Sequence, residues 1–170
     1  MILLDKPIQK AVVYLDEQEF KSTWLGNKAI YRTRMAMADD GELIVLAPGV
    51  EKFGEDEAVD GLIRKYGYKG RDYVLETVKS AQDLGENLSA AAHLIHGSSD
   101  GRFRITYCTR HLSRDEVEGV GYGYMPYAEA VAKYPIDTLQ PGPNRLQDGE
   151  EVYYIPNPAL GLWVEKGKLN

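Results

Sequence analysis

Trp24, Lys28 and Tyr31 stand at i, i+4 and i+7, a spacing that on a helix sets one ammonium between two aromatic rings. Such a group can hold a carboxylate by charge-assisted hydrogen bonds, with the rings anchoring a ligand or a partner surface. Met35 extends the same stripe. On the opposite side Gly26, Ala29, Ile30, Thr33, Ala36 and Met37 form a small, smooth face fit to lie against a sheet. From residue types alone, a lysine stem lying over its own aromatic neighbours explains the stripe as well.

Three loops add charge near this segment. The first holds Asp16, Gln18 and Lys21, the second runs from Pro48 to Glu55, and the third is Thr109-Arg110-His111. Each follows an expected strand, and ligands of open α/β sheets collect at the carboxyl ends of strands. Cations and an imidazole on one rim would suit a carboxylate, whereas solvated loop charges need no ligand. His93 and His96 stand at i, i+3 without an evident third metal ligand, and their helix leads toward the amino end of a strand, away from that rim. Gly119-Val-Gly121-Tyr-Gly123 lacks the third glycine, the following helix and the acidic partner of a dinucleotide fingerprint. The lone Cys108 reads as a small buried hydrophobe rather than a nucleophile.

Strands are expected at Lys10–Leu15, Glu42–Ala47, Arg102–Cys108, Gly119–Met125 and Glu151–Ile155. Between them the periodicity predicts helices over Ser22–Ala38, Glu55–Tyr66, Arg71–Ser80, Leu88–His96, a short one capped by Ser113 and Glu116, and Tyr127–Lys133. Asp39-Asp40-Gly41 would end the Lys28 helix, and Pro135–Gly149 reads as a loop. This alternation predicts an α/β fold: a mostly parallel sheet flanked by helices, three-layered and Rossmann-like. The expected organisation is a single α/β domain over 1–134, with 135–170 as linker and carboxy-terminal tail packing on it.

The chain has 170 residues and a formal net charge of −6, which argues against non-specific nucleic-acid binding. No apolar run approaches the ~20 residues of a membrane span, and no signal peptide opens the chain. A single cysteine excludes an internal disulfide and fits a reducing, cytoplasmic setting.

The run from Leu15 to Phe53 resembles the carboxy-terminal domain of the nickel-dependent lactate racemase family. In that family a strand ending in Pro-Leu-Asp precedes a helix with a Gln-x-x-Lys motif, then Gly-Gly and an aliphatic strand. The matching pieces are Leu15-Asp16, the segment carrying Lys28, and Asp40-Gly41 before Glu42–Ala47. Counting back from Gly41 places Lys28 on the family's substrate-binding lysine. The order of elements extends the resemblance over about 10–134, with motif support only over 15–54. Leu25 replaces the family glutamine, and four extra residues separate Asp16 from the lysine segment. The resemblance therefore implies a divergent branch acting on larger sugar acids, aldonates or uronates such as mannonate.

It implies a racemase or epimerase of 2-hydroxy acids working by reversible hydride transfer, with Lys28 as its substrate-binding lysine. Together with the rim and stripe residues read above, the expected substrate-binding set is Lys28, Asp16, Trp24, Tyr31, Arg110 and His111, with no catalytic group of its own. The nickel-pincer nucleotide would be carried by an amino-terminal cofactor-binding domain or subunit that has no counterpart here, so this chain would be one half of an enzyme needing no cofactor itself. The competing expectation is a non-catalytic α/β module that holds an anionic metabolite or a protein partner.

Overall fold

The computed structural model describes residues 1–169. In chain order the strands and helices are β1 (Ile2–Leu4), β2 (Ile8–Tyr14), α1 (Thr23–Gly26), α2 (Lys28–Tyr31), β3 (Met37–Ala47), α3 (Glu57–Tyr66), α4 (Arg71–Ser80), α5 (Gln82–Gly85), α6 (Leu88–His96), β4 (Arg104–Thr109), α7 (Arg114–Gly119), β5 (Gly123–Pro126), α8 (Tyr127–Lys133), β6 (Gly142–Arg145), β7 (Glu151–Ile155) and β8 (Trp163–Glu165). Among the described residues, six strands form the main sheet in the order β5-β4-β3-β2-β7-β6, all parallel except β6 against β7. β1 and β8 make a separate parallel ribbon.

Both faces of the sheet are covered, as the near-continuous apolar runs of β2 and β3 require. Ala11, Val13 and Leu15 join Leu43, Val45, Ile105 and Tyr107 in a large core that also takes buried side chains from α2 through α7. Val12, Ile44, Leu46 and Cys108 point the other way, into a smaller core closed by Tyr127, Ala130 and Tyr134. The architecture is thus a three-layer α/β domain. α8 covers the second face, and the chain then returns past β2 to supply β7. The strand order reverses at the β2/β7 pair, where open α/β sheets leave a crevice.

Three local expectations need correction. Ser22–Ala38 is not one helix. It breaks at Asn27 into α1 and α2, followed by turns over 32–36. The Asn27 amide is held at the break by the Tyr107 and Tyr122 hydroxyls, and Thr33 donates its hydroxyl back to the Ala29 carbonyl at 2.6 Å, competing with the backbone after α2. Met37 then pairs with Ile8, so Asp39-Asp40-Gly41 is a bulge inside β3 rather than a helix end. Asp40 takes a φ of 64° there. Finally, Gly142–Arg145, expected as loop, is strand β6, which the antiparallel hairpin with β7 stabilises despite Pro143 because it lies on a sheet edge. The burial pattern expected of the first segment nonetheless holds: Ala29, Ile30, Thr33, Ala36 and Met37 are all fully buried.

Candidate functional site at the carboxyl ends of the strands

The loops after β2, β3 and β4 meet on one rim. The Lys21 carbonyl accepts from Glu51 N–H at 2.9 Å, and Thr23 and Trp24 N–H donate to the Lys52 and Phe53 carbonyls. A Cβ on Gly49 would collide with the Glu17 carbonyl, so glycine is what lets these two loops touch. Glu17 in turn reaches Arg110 of the third loop at 3.2 Å. Ser22 caps α1 through Leu25 N–H and donates to Glu55 at 2.7 Å, which ties the start of the Lys28 segment to the second loop.

The turn that carries Lys28 rests on a buried polar network. Asn27, at the joint between α1 and α2, accepts from the Tyr107 hydroxyl at 2.6 Å and donates to Tyr122 at 3.1 Å; Tyr122 donates onward to the Gly97 carbonyl at 2.6 Å. Thr23 donates to the Phe53 carbonyl and lies 2.9 Å from the Tyr68 hydroxyl, which lies 2.7 Å from His93 Nε2. With the Thr23 proton used, Tyr68 donates to Thr23 and His93 Nε2–H donates to Tyr68. Burial, and secondarily His96, lowers the His93 imidazole to a pKa of about 4, so it is neutral at pH 7. Burial also raises the phenols of Tyr68, Tyr107 and Tyr122, which keeps every member of the network uncharged.

Helix α6 leads to the amino end of β4, as expected of the histidine helix, and it also packs beneath the Lys28 segment. The His93 ring lies 4.5 Å from Trp24, and His96 meets the edge of Tyr31 at 6.5 Å. Both aromatics of the Lys28 stripe are therefore half-covered within the chain, while Leu25 and Met35 beside them stay exposed. Behind the turn, Trp163 and Glu165 N–H donate to the Arg32 and Met35 carbonyls, and Arg32 donates to the Gly161 carbonyl. The carboxy-terminal strand β8 thus straps the segment from outside.

Lys28 itself is half-buried, and among the described residues its ammonium has no hydrogen-bond or ion-pair partner. The other residues expected at the site have different surroundings. Asp16 is exposed, and its Oδ1 accepts from the Gln18 and Glu19 N–H groups, a turn-forming role. Arg110 is neutralised by Glu17, and its guanidinium lies 4.6 Å over the Tyr127 ring. His111 is exposed without a hydrogen-bond partner among the described residues. No hydrogen bond or ion pair among those residues joins Lys28 to Asp16, Arg110 or His111. The Lys28 turn packs on the large core and the Arg110 corner borders the small one.

Next to Arg110, Tyr14 and Tyr154 flank the β2/β7 reversal. Burial raises the phenols of Tyr14, Tyr127 and Tyr154, and the Asp16 and Glu17 carboxylates raise that of Tyr14 further. Neither these tyrosines nor the Asn27 network figures among the residues expected from sequence. One signal pointed to them: the chain has 12 tyrosines and only 3 phenylalanines, an imbalance that means ring hydroxyls are in use.

Fold and rim define an α/β domain that gathers charged loops and tyrosines at the carboxyl ends of parallel strands, with Lys28 on the crossover from β2 to β3. Neither a protein-family model nor a curated protein sequence matches the chain. Solved structures share the fold, two among them being these. A Thermotoga maritima protein determined by structural genomics aligns with a TM-score of 0.73 and 23% identity, covering 98% of this chain and 39% of that one. The lactate racemase apoprotein from Thermoanaerobacterium thermosaccharolyticum aligns with a TM-score of 0.60 and 11% identity, covering 93% and 36%. The chain therefore has a lactate-racemase-like fold and spans well under half the length of either structure. Among the described residues no helix is long and apolar enough to cross a membrane.

Proposed function

We propose that this chain is the substrate-clamping part of a racemase or epimerase of 2-hydroxy acids, completed by a second, cofactor-bearing domain or subunit. The observation that carries the reading is the fold likeness to lactate racemase over 93% of this chain and only 36% of that one, the proportions of one domain within a larger enzyme. Lys28 supports it from the geometry. Lys28, a half-buried residue whose ammonium has no hydrogen-bond or ion-pair partner among the described residues, stands on the short helix α2 of the crossover from β2 to β3, and there it would bind an anionic group by charge-assisted hydrogen bonds.

Trp24 and Tyr31 would then border the substrate, and the exposed Leu25 and Met35 would meet the second domain, whose closure would exclude water. Arg110, His111 and Asp16 form the far side of the rim, where a longer sugar acid such as an aldonate or uronate could extend toward Tyr14 and Tyr127. The described residues do not fit a nickel centre. None of their His, Cys, Asp or Glu groups makes a cluster that could hold a metal, His93 is engaged by Tyr68, and burial pushes the Cys108 thiol up to about 12. In this reading the cofactor would be held by the second domain.

The test is stereochemical. Purified chain incubated with L-lactate, or with an aldonate such as mannonate, should leave the configuration unchanged by chiral chromatography. Turnover by the isolated chain would overturn the half-enzyme reading. Tight, saturating binding of a hydroxy acid without any partner would instead favour a self-sufficient binding module.

A further inference from the structure

At the amino end of the sheet, opposite the rim, β4 and β5 begin beside a polar pocket of about 240 Å³. Lys69, Arg104, Ser98 and Ser99 line it together with Tyr68 and Tyr122. The volume far exceeds the ~10–15 Å³ that a single water needs, so it can admit a small polyatomic ligand. The chain carries 26 carboxylates against 20 Lys and Arg, yet among the described residues no Asp or Glu lines this pocket.

Three of the donors there, from Ser98, Ser99 and Lys69, have no acceptor among the described residues. Ser98 is only 6% exposed; its oxygen accepts from Asp100 N–H at 3.0 Å, and its own proton has no acceptor among the described residues. The half-buried Ser99 hydroxyl makes no hydrogen bond among them either. Lys69 has no carboxylate partner and lies 4.8 Å over the Tyr73 ring, while Arg104 has only Glu42 at 3.7 Å. The nearby Asp100 carboxylate, whose Oδ1 accepts from Arg71 N–H at 2.8 Å at the start of α4, makes no hydrogen bond to these donors among the described residues. A buried hydroxyl whose proton has nowhere to go is costly unless something else accepts it. Two cations, two hydroxyl donors and a lining without Asp or Glu among the described residues match the acceptor-rich surface of a tetrahedral oxyanion.

We propose that this pocket binds a small tetrahedral oxyanion, either free phosphate or the phosphate of a phosphomonoester. It shares no charged residue with the rim and stands whether or not the racemase reading holds. The full chain, ¹⁵N-labelled, is titrated with inorganic phosphate and separately with glycerol phosphate, at ionic strength fixed with chloride. Saturable shifts confined to the amides of Ser98–Gly101 and Gly121–Gly123 are expected, and tighter binding of glycerol phosphate would identify the phosphomonoester as the source. Ser98→Ala and the exposed Lys69→Ala should each weaken binding by ~10-fold. Lys79→Ala, on a lysine outside the pocket, should leave it unchanged. Shifts that do not saturate by ~10 mM, or that spread over surface lysines and ignore Lys69→Ala, would overturn the proposal.

Discussion

Two of the expected site cations, Arg110 and Lys28, are treated by the fold in opposite ways. Arg110 lies on an exposed loop, and its charge is already answered by Glu17 and the Tyr127 ring. Lys28 lies on a turn fixed from below by Asn27, Tyr107, Tyr122, Tyr68 and His93 and from behind by β8, yet its own charge is left unanswered. One cation has a satisfied head, the other an unpartnered head on a turn tied into a buried network. Under the proposed function only the second would meet a ligand without first leaving a carboxylate.

If that contrast is right, damage beneath Lys28 should be far more severe than damage at Arg110. Asn27→Ala orphans the buried Tyr107 and Tyr122 hydroxyls and should lower unfolding free energy in urea by about 3 kcal/mol. A loss below about 0.5 kcal/mol would mean that the network does not hold the turn.

Acid should reach the same network through His93. Its folded pKa of about 4 lies below the ordinary 6.5, so the unfolded chain takes up the proton first as pH falls. The neutral ring's contribution is complete above pH 6.5 and is lost progressively down to about 4, an effect of up to about 3 kcal/mol. His93→Gln should flatten that part of the curve of urea stability against pH, and an unchanged slope would assign it to other groups.

Gly26→Ala tests the seating of the turn on the sheet. A Cβ there comes within 2.8 Å of Leu15 Cδ1 and 3.3 Å of the Tyr107 hydroxyl, and should cost about 1 to 2 kcal/mol in the same assay. The smallest effect belongs to Arg110→Ala. With both partners of its ion pair about half exposed, stability should fall by less than about 1 kcal/mol.

The contrast also explains what could be read from the sequence. The strands β2, β3, β4 and β7 and the helices α3, α4, α6, α7 and α8 announce themselves by apolar runs, helical spacing and caps, and the Ser113–Glu116 capping box forms as its spacing dictates. The inward face through Ala29, Ile30 and Thr33 was legible because burial follows periodicity even where the helix breaks. The break itself was not, since it depends on Asn27 finding Tyr107 and Tyr122, 80 and 95 residues away. β6 and β8 were hidden for a similar reason: short edge segments gain strand character from the partner they meet rather than from their own residues. At the rim, the three loops could be ordered along the chain, but Glu17 pairing with Arg110 and α6 passing under Trp24 are products of the tertiary fold.

The most direct measurement places the ligand contact on Lys28. The chain's lysine side-chain Cε–Hε resonances are followed by NMR during titration with lactate and with mannonate, in wild type and in Lys28→Ala, alongside urea unfolding of both. The account predicts weak saturable binding, with a dissociation constant on the order of 1 mM or above, that shifts the Lys28 signal. In Lys28→Ala the binding should be lost while stability stays within about 0.5 kcal/mol of wild type. Equal binding by wild type and Lys28→Ala would contradict it.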